Sequence, residues 1–348
     1  MATDLPAGAR AEPLFTGRRA YPVPGAPDLK LFCPPPARDD TALGEEVDDR
    51  LVTWAAEVGI YPGRLEKLRA CQFGRMLMLA HPGADDPEVL LAAACCLAAE
   101  WAADDYYIDE VSLGADPKIV GSRLANLYAV LDPAQLPQAY APRFERFTRE
   151  TPIAAAFRGA MTLLARHASA TQVARFQHQM GILFVAWNQE ADWHANGHIP
   201  QTWEYLVQRH LNNYLPPMIL IDLVAGYELP PEQFYDPAVR RVFALAGTAA
   251  VLLNDLYSGA FESDTDFNLP NVIAATENCP KSDAIAHTVT IHNELMQTFV
   301  DEATTLVRTG SPTLRGFLGD TWSWLGGARH WHATSGRYHG DSAQVVRR

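Results

Sequence analysis

From about residue 42 onward, apolar residues return at i, i+3, i+4 and i+7 through one long segment after another, while runs of alternating β-branched residues are hard to find. That period marks helices that bury one stripe, so the body of the chain is expected to be all-α. The pattern predicts helices over 44–58, 64–80, 86–110, 117–131, 141–149, 152–168, 171–195, 200–226, 236–262, 281–308 and 312–333. They are separated by Pro- and Gly-bearing breaks such as His81-Pro82-Gly83, Asp132-Pro133 and Leu229-Pro230-Pro231. No internal repeat points to a solenoid. Hydrophobic residues make up 48% of the chain and charged residues 20%, enough for a large core. A single-domain bundle over 41–338 around a central hydrophobic cavity is therefore expected.

Within the segment 200–226, Asn212-Asn213-Tyr214-Leu215-Pro216-Pro217 sets two prolines where the helical period otherwise continues. Proline removes a backbone hydrogen bond and clashes with the preceding turn, so a kink or break is expected there. Such a break is either a packing feature or a place where freed backbone groups meet a ligand.

Outside the body the pattern stops. Residues 1–40 carry Pro6, Pro13, Pro22, Pro24, Pro27 and Pro34-Pro35-Pro36 among Ala, Gly and Arg, and are read as a disordered N-terminal arm; 339–348 are read as a disordered tail. The arm is either dispensable or a segment that docks on a partner or covers a site. No run of 18 apolar residues offers a membrane span, and no basic-then-apolar leader is visible. Five cysteines without a C-x-x-C pair suggest a reducing, cytoplasmic setting without zinc. The 28 basic and 41 acidic residues leave a formal charge of −13, which argues against a nucleic-acid partner.

Two acidic clusters carry the chemistry. Asp104 and Asp105 follow about fifteen mostly apolar residues, a poor place for two charges unless a cation meets them. Asp109 can converge with them near one helix end, with either Asp109 or Glu110 as the later carboxylate. Further on, Asn254, Ser258 and Glu262 stand at i, i+4 and i+8, an amide, a hydroxyl and a carboxylate on one helical face. Hard oxygen donors of this kind suit Mg²⁺, and so weakly charged a second set needs an anion such as diphosphate to complete it. An apolar cavity between two such clusters describes a site for a diphosphate head and a hydrocarbon tail.

Asp104-Asp105-x-x-x-Asp109 together with Asn254-Asp255-x-x-Ser258-x-x-x-Glu262 resembles the paired metal motifs of class I terpene cyclases. Arg209, 45 positions before Asn254, and the pair Arg337-Tyr338 extend the likeness over roughly 235 residues. A further set resembles one bacterial branch of that family, enzymes of 2-methylgeranyl diphosphate. It comprises Trp203 to Arg209, Gly226-Tyr227-Glu228-Leu229-Pro230, Asn254 to Ser258, Asn268-Leu269-Pro270 and His292-Asn293-Glu294-Leu295.

The resemblance implies a class I terpenoid synthase α-bundle that holds three Mg²⁺ ions with Asp104, Asp109, Asn254, Ser258 and Glu262. It implies a prenyl diphosphate as substrate, gripped by Arg209, Arg337 and Tyr338, with Asp105 paired to Arg337 so that diphosphate arrival closes the site. It also implies a helix-break effector at Asn213, where many relatives carry Gly, and leaves open a homodimer and docking of the N-terminal arm to a protein shell. The cation formed by ionisation needs unreactive walls, and each aromatic face offers about 0.5–2 kcal/mol. Trp101, one turn before Asp104, is the first candidate, and Phe73, Phe184, Trp187 and Trp331 are either further wall or core packing.

Two readings compete with the methylated C10 substrate: an ordinary geranyl, farnesyl or geranylgeranyl diphosphate, and a catalytically weak binding protein or encapsulated cargo. The last draws on Phe261, which stands where the family carries Lys or Arg. An Asp-x-Asp-Asp motif for protonation-driven cyclisation and a Gly-rich phosphate loop are absent from the sequence, and Asp264-Thr265-Asp266 reads as a solvated loop. His194 and His198 have metal-pair spacing, but Asn196-Gly197 suggests that the helix ends between them.

Overall fold

A computed structural model describes residues 14–339 of the chain. Helix α1 (Thr41–Val58) starts where the Asp40 carboxylate accepts the Leu43 N–H at 3.1 Å, and stops at Gly59 with φ 82°. α2 (Leu65–Cys71) and α3 (Phe73–Ala80) divide the helix expected over 64–80, because Gln72 between them is left-handed at φ 52°. α4 (Pro87–Asp104) begins on an Asp86 cap, and every residue from Leu90 to Glu100 is buried, so this helix runs through the centre of the bundle. The expected helix 86–110 thus stops early: Asp105–Asp109 form a π-helical turn, and a short 3₁₀ turn, Val111–Leu113, follows.

After α5 (Val120–Leu131), α6 (Ala141–Glu150) and α7 (Pro152–Leu164), the long α8 (Ala170–Asn196) opens on a reciprocal Ser169–Gln172 capping box and ends at left-handed Gly197. The segment 200–226 is broken as expected, into α9 (Thr202–Leu211), α10 (Leu215–Met218) and α11 (Ile221–Val224), with Pro216 and Pro217 in the first turn of α10. α12 (Pro231–Phe234) leads to α13 (Pro237–Ser258), which ends four residues short of the expected 262 where Gly259 follows. α14 (Leu269–Thr276), α15 (Lys281–Thr309) and α16 (Pro312–Thr334) complete the chain. α13 packs along α15, α4 along α7, and α3 lies between α1 and α16.

The crossing of α3 and α16 depends on Gly327, where a Cβ would overlap the backbone of Leu79 and Ala80. Backbone cannot step aside as a flexible side chain can, so Gly327→Ala is expected to cost about 1–3 kcal/mol. Urea unfolding followed by circular dichroism measures this, and an unchanged midpoint would contradict the packing.

The N-terminal arm needs correction. Residues 14–40 are ordered, and β1 (Arg19–Val23) pairs antiparallel with β2 (Ala26–Cys33) across a turn at Gly25. Leu29, Leu31 and Cys33 alternate along β2, and Leu31 and Cys33 are fully buried against the body. Asn293 on α15 fixes the register, accepting the Phe32 N–H at 2.8 Å and donating to the Lys30 carbonyl at 2.9 Å. Phe15 meets Phe299 and Trp322 edge-on, and the Arg329 guanidinium lies 3.6 Å from the centre of the Tyr21 ring. Residues 1–13 and the tail from 340 lie outside the described residues, and with them whatever docking role the first thirteen residues have.

Candidate active site

The two acidic clusters face each other across a cavity of about 500 Å³. α4 and the π-turn after it supply Glu100, Trp101, Asp104, Asp105, Asp109 and Glu110; α13 and the turn beyond it supply Val251, Asn254, Ser258 and Glu262. The broken segment contributes Arg209, Asn212, Asn213 and Tyr214, the C-terminus Arg337 and Tyr338, and α8 Trp187, Glu190 and His194. Glu262 stands past the end of α13, yet its N–H still reaches the Ser258 carbonyl at 3.1 Å, so the spacing seen in the sequence keeps it on the cavity side.

Asp104 and Asp109 define the electrostatic problem. Asp104 is half-buried and Asp109 exposed to the open cavity, yet desolvation by the surrounding protein pushes both carboxyls above their ordinary pKa; for Asp104 the charges of Asp109, Glu190 and Asp105 add to this, and for Asp109 those of Glu190, Asp105 and Glu262. Arg337 opposes the shift in both. Asp105 is also raised by burial, but it has a direct partner: the Tyr61 hydroxyl donates to it at 2.6 Å. Tyr61 thus takes the contact expected of Arg337, which acts on Asp105 through its charge while its guanidinium lies 5.0 Å from the Trp101 ring centre.

Arg209 is clamped rather than free. Its Nη2 donates to Asp255 Oδ1 at 2.8 Å, and the fully buried Asp255 also accepts from the Tyr205 hydroxyl and the Leu269 N–H, both at 3.0 Å. Burial works against the Arg209 charge, but Asp255, Tyr205 and Glu190 outweigh it and the guanidinium pKa is raised. Burial pushes Asp255 up as well. With a guanidinium, a phenol and a backbone N–H all donating to it, the carboxylate is the form that fits the geometry. Arg209 Nε is buried without a partner, a donor held in reserve beside the cavity.

Asn254 sits in a second network. Its Nδ2 donates to the Tyr338 hydroxyl at 2.7 Å and lies 3.3 Å from His332 Nε2. His332 Nδ1 is 2.7 Å from the Ala328 carbonyl, which fixes the tautomer with the proton there, so Nε2 is the acceptor. Burial pushes this imidazole down to about 3, and it stays neutral at ordinary pH. At the helix break, Asn213 bridges the gap with its own side chain, donating to the His210 carbonyl at 2.6 Å and accepting the Leu215 N–H at 2.8 Å. Of the backbone carbonyls expected to be freed near Asn213, that of His210 is thus capped by the Asn213 side chain.

The aromatic candidates divide. Trp101 and Trp187 line the cavity. Phe73 and Trp331 do not: each is fully buried behind Trp101, with ring centres 5.0 and 6.1 Å from it, and Trp331 Nε1 is committed to the Cys71 carbonyl at 2.7 Å. Phe184 stacks on Trp187 at 5.5 Å and faces a separate groove with Gly181 and Val185. These three are core, not wall. Tyr214, Glu190, Tyr61 and Asp255 were missed from the sequence. Glu190 had a readable signal, since Trp187, Glu190 and His194 share a face of α8 at i, i+3 and i+7.

The remaining expectations sort plainly. α8 does end between His194 and His198; His194 lies against Phe267, and His198 against Trp193 and Glu204. Phe261 is half exposed, so no basic group replaces it from that position; Lys281, bonded to Asn271, is the lysine that senses the charges of Asp264 and Glu262. Ser263 and Asp266 close a turn on themselves, the Ser263 N–H donating to Asp266 at 2.8 Å, as a loop was expected to do.

The donor set fits Mg²⁺. Asp104, Asp109 and Glu262 are carboxylates, Asn254 an amide and Ser258 a hydroxyl, and the acidic residues lining the cavity outnumber its two guanidiniums, those of Arg209 and Arg337. Among the described residues no three His, Cys, Asp or Glu side chains close on a metal position by themselves. Open half-sites suit an ion that keeps water and substrate phosphate oxygens among its ligands.

A bundle with these two half-sites is that of a class I terpene synthase, and the chain belongs to this family: the family described as terpene synthase family 2, C-terminal metal binding, matches residues 95–298. Within it, the chain is similar to 2-methylisoborneol synthases. That of Streptomyces ambofaciens is 36% identical over 91% of this chain and 73% of its own length, and that of Saccharopolyspora erythraea is 33% identical over 88% and 89%. The crystal structure of the Streptomyces coelicolor A3(2) enzyme with Mg²⁺ and 2-fluoroneryl diphosphate matches with a TM-score of 0.86 at 34% identity, over 92% of this chain and 99% of that one.

Proposed function

We propose that this chain ionises 2-methylgeranyl diphosphate in the presence of Mg²⁺ and closes the resulting cation to 2-methylisoborneol. The observation that carries the reading is the meeting of Asp104 and Asp109 with Asn254, Ser258 and Glu262 across one cavity, with Arg209 and Arg337 at its edge. Mg²⁺ held by these five residues would neutralise the charge that develops on the leaving diphosphate. Arg209 and Arg337 donate charge-assisted hydrogen bonds to phosphate oxygens, and Tyr338 adds a hydroxyl. Asp255 and Tyr205 keep the guanidinium of Arg209 aimed while the phosphate is absent. Asn213 holds the broken helix open beside the leaving group. Trp101 and Trp187 line the cavity with faces that stabilise a cation without trapping it. Five unpaired cysteines, four of them buried, support a cytoplasmic setting.

Purified protein with Mg²⁺ and, in turn, 2-methylgeranyl, geranyl, farnesyl and geranylgeranyl diphosphate, followed by gas chromatography with mass spectrometry, tests this reading. It expects 2-methylisoborneol as the main volatile from the methylated C10 substrate. Product from C15 or C20 substrates alone would replace the substrate assignment, and silence with all four from a folded protein would favour a binding protein.

A further inference from the structure

One acidic side chain of the cavity has no part in gripping diphosphate. Glu100 lies on α4 one turn before Asp104, on the same face, and so about 6 Å deeper along the helix axis. It lines the cavity at 8% exposure, among the walls formed by Trp101, Tyr214 and Val251. Its Oε2 is buried without a hydrogen-bond partner. Leaving a carboxyl oxygen unpaired in an apolar setting costs about 1–3 kcal/mol, and replacing it with a hydrocarbon side chain would remove that cost. The Glu100 side chain lines the space where the hydrocarbon part of a substrate with its diphosphate at Asp104 would lie.

We propose that Glu100 is the terminal catalytic group, holding the water that captures the final carbocation and taking the proton that this water releases. This rests on the cyclase reading above and extends it to the last step. The water's oxygen lone pair forms the new C–O bond to the cationic carbon, one of its O–H bonds breaks, and the proton passes to a Glu100 carboxylate oxygen. Cation and carboxylate charges cancel, leaving a neutral alcohol and a neutral acid, and the acid loses its proton to solvent before the next turnover.

Burial alone pushes the Glu100 pKa up to about 8, so the neutral acid predominates at pH 7 and the smaller carboxylate fraction is the reacting form, a stronger base than an exposed carboxylate. The position also keeps this base apart from the first acidic motif: Asp104 lies one turn further along α4, and the Glu100 shift comes from burial and not from a charged neighbour.

The test compares wild type with Glu100→Gln, which still bonds a water but accepts no proton, and Glu100→Leu, which does neither. Each is incubated with 2-methylgeranyl diphosphate and Mg²⁺ in ¹⁸O-water, and alcohol and hydrocarbon products are counted per diphosphate released. Wild type is expected to give ¹⁸O-labelled alcohol, and both variants to shift the alcohol-to-hydrocarbon ratio toward hydrocarbon by about tenfold or more. Glu100→Leu is expected to melt at or above the wild-type temperature, whereas a merely structural carboxyl would leave it less stable. A ratio within twofold of wild type in both variants overturns the proposal. So does a wild type that releases diphosphate but forms no alcohol, an outcome that leaves the cyclase assignment standing. No diphosphate release by the folded wild type sinks the cyclase reading and this inference together.

Discussion

An Asn254→Ala enzyme is expected to fold normally and lose on the order of 10³-fold in kcat/KM for the allylic diphosphate. The size follows from how tightly the amide is prescribed. His332 Nδ1 faces the Ala328 carbonyl, so its Nε2 offers only a lone pair, and Tyr338 stands on the same amide nitrogen. With both partners on Nδ2, the amide carbonyl is left for the cavity, where it is the one neutral carbonyl among Ser258 and Glu262 of the second motif. Alanine deletes that oxygen and also removes the N–H that Asn254 donates to the buried hydroxyl of Tyr338, a member of the C-terminal pair. Steady-state kinetics with circular dichroism as a folding control measure the effect, and activity within tenfold of wild type would remove Asn254 from the site.

The second large effect is on stability. Asp255→Ala leaves Arg209 buried without its carboxylate partner and removes the closer of two acceptors of the Tyr205 hydroxyl and the side-chain acceptor of the Leu269 N–H in one step. Breaking a buried pair from one side costs about 3–5 kcal/mol, because the surviving charge stays dehydrated. The Asp255→Ala protein should therefore unfold at a markedly lower urea concentration. Arg209→Ala should cost a comparable amount for the mirror-image reason, and the double substitution should cost less than the two losses added together. Strict additivity would show that the pair is not coupled. The arrangement also separates two tasks inside one motif: Asn254, Ser258 and Glu262 face the cavity, while Asp255, one residue along α13, turns away and holds the guanidinium 46 residues upstream.

What could be read in the sequence was local and periodic. The i, i+4, i+8 spacing of Asn254, Ser258 and Glu262 predicted a common face, and the face survives although α13 ends at Ser258. Pro216 and Pro217 announced a helix break by their own chemistry, and the break is there. The hairpin was hidden because Pro22, Pro24 and Pro27 dominate its composition, although Leu29, Leu31 and Cys33 carry a strand's alternation directly after them. Tyr61 and Asp255 were out of reach for another reason. A tyrosine 44 residues before Asp105 and an aspartate 46 residues after Arg209 become partners only when separate elements pack, and no spacing rule records that. For the aromatic residues the sequence gives identity but not depth: Trp101 and Trp331 pack within 6.1 Å of each other, yet Trp101 reaches the cavity and Trp331 stays behind it.

The central claim is that cavity-lining carboxylates on two facing elements bring an anionic diphosphate into a protein of net charge −13 by way of a divalent cation. Release of inorganic diphosphate from 2-methylgeranyl diphosphate, followed as Mg²⁺ is titrated into metal-stripped protein, tests it most directly. The account expects no release without the ion, saturable release as it is added, and loss of that dependence together with activity in Asp104→Asn. Diphosphate release by wild type that is the same with and without Mg²⁺ would contradict it.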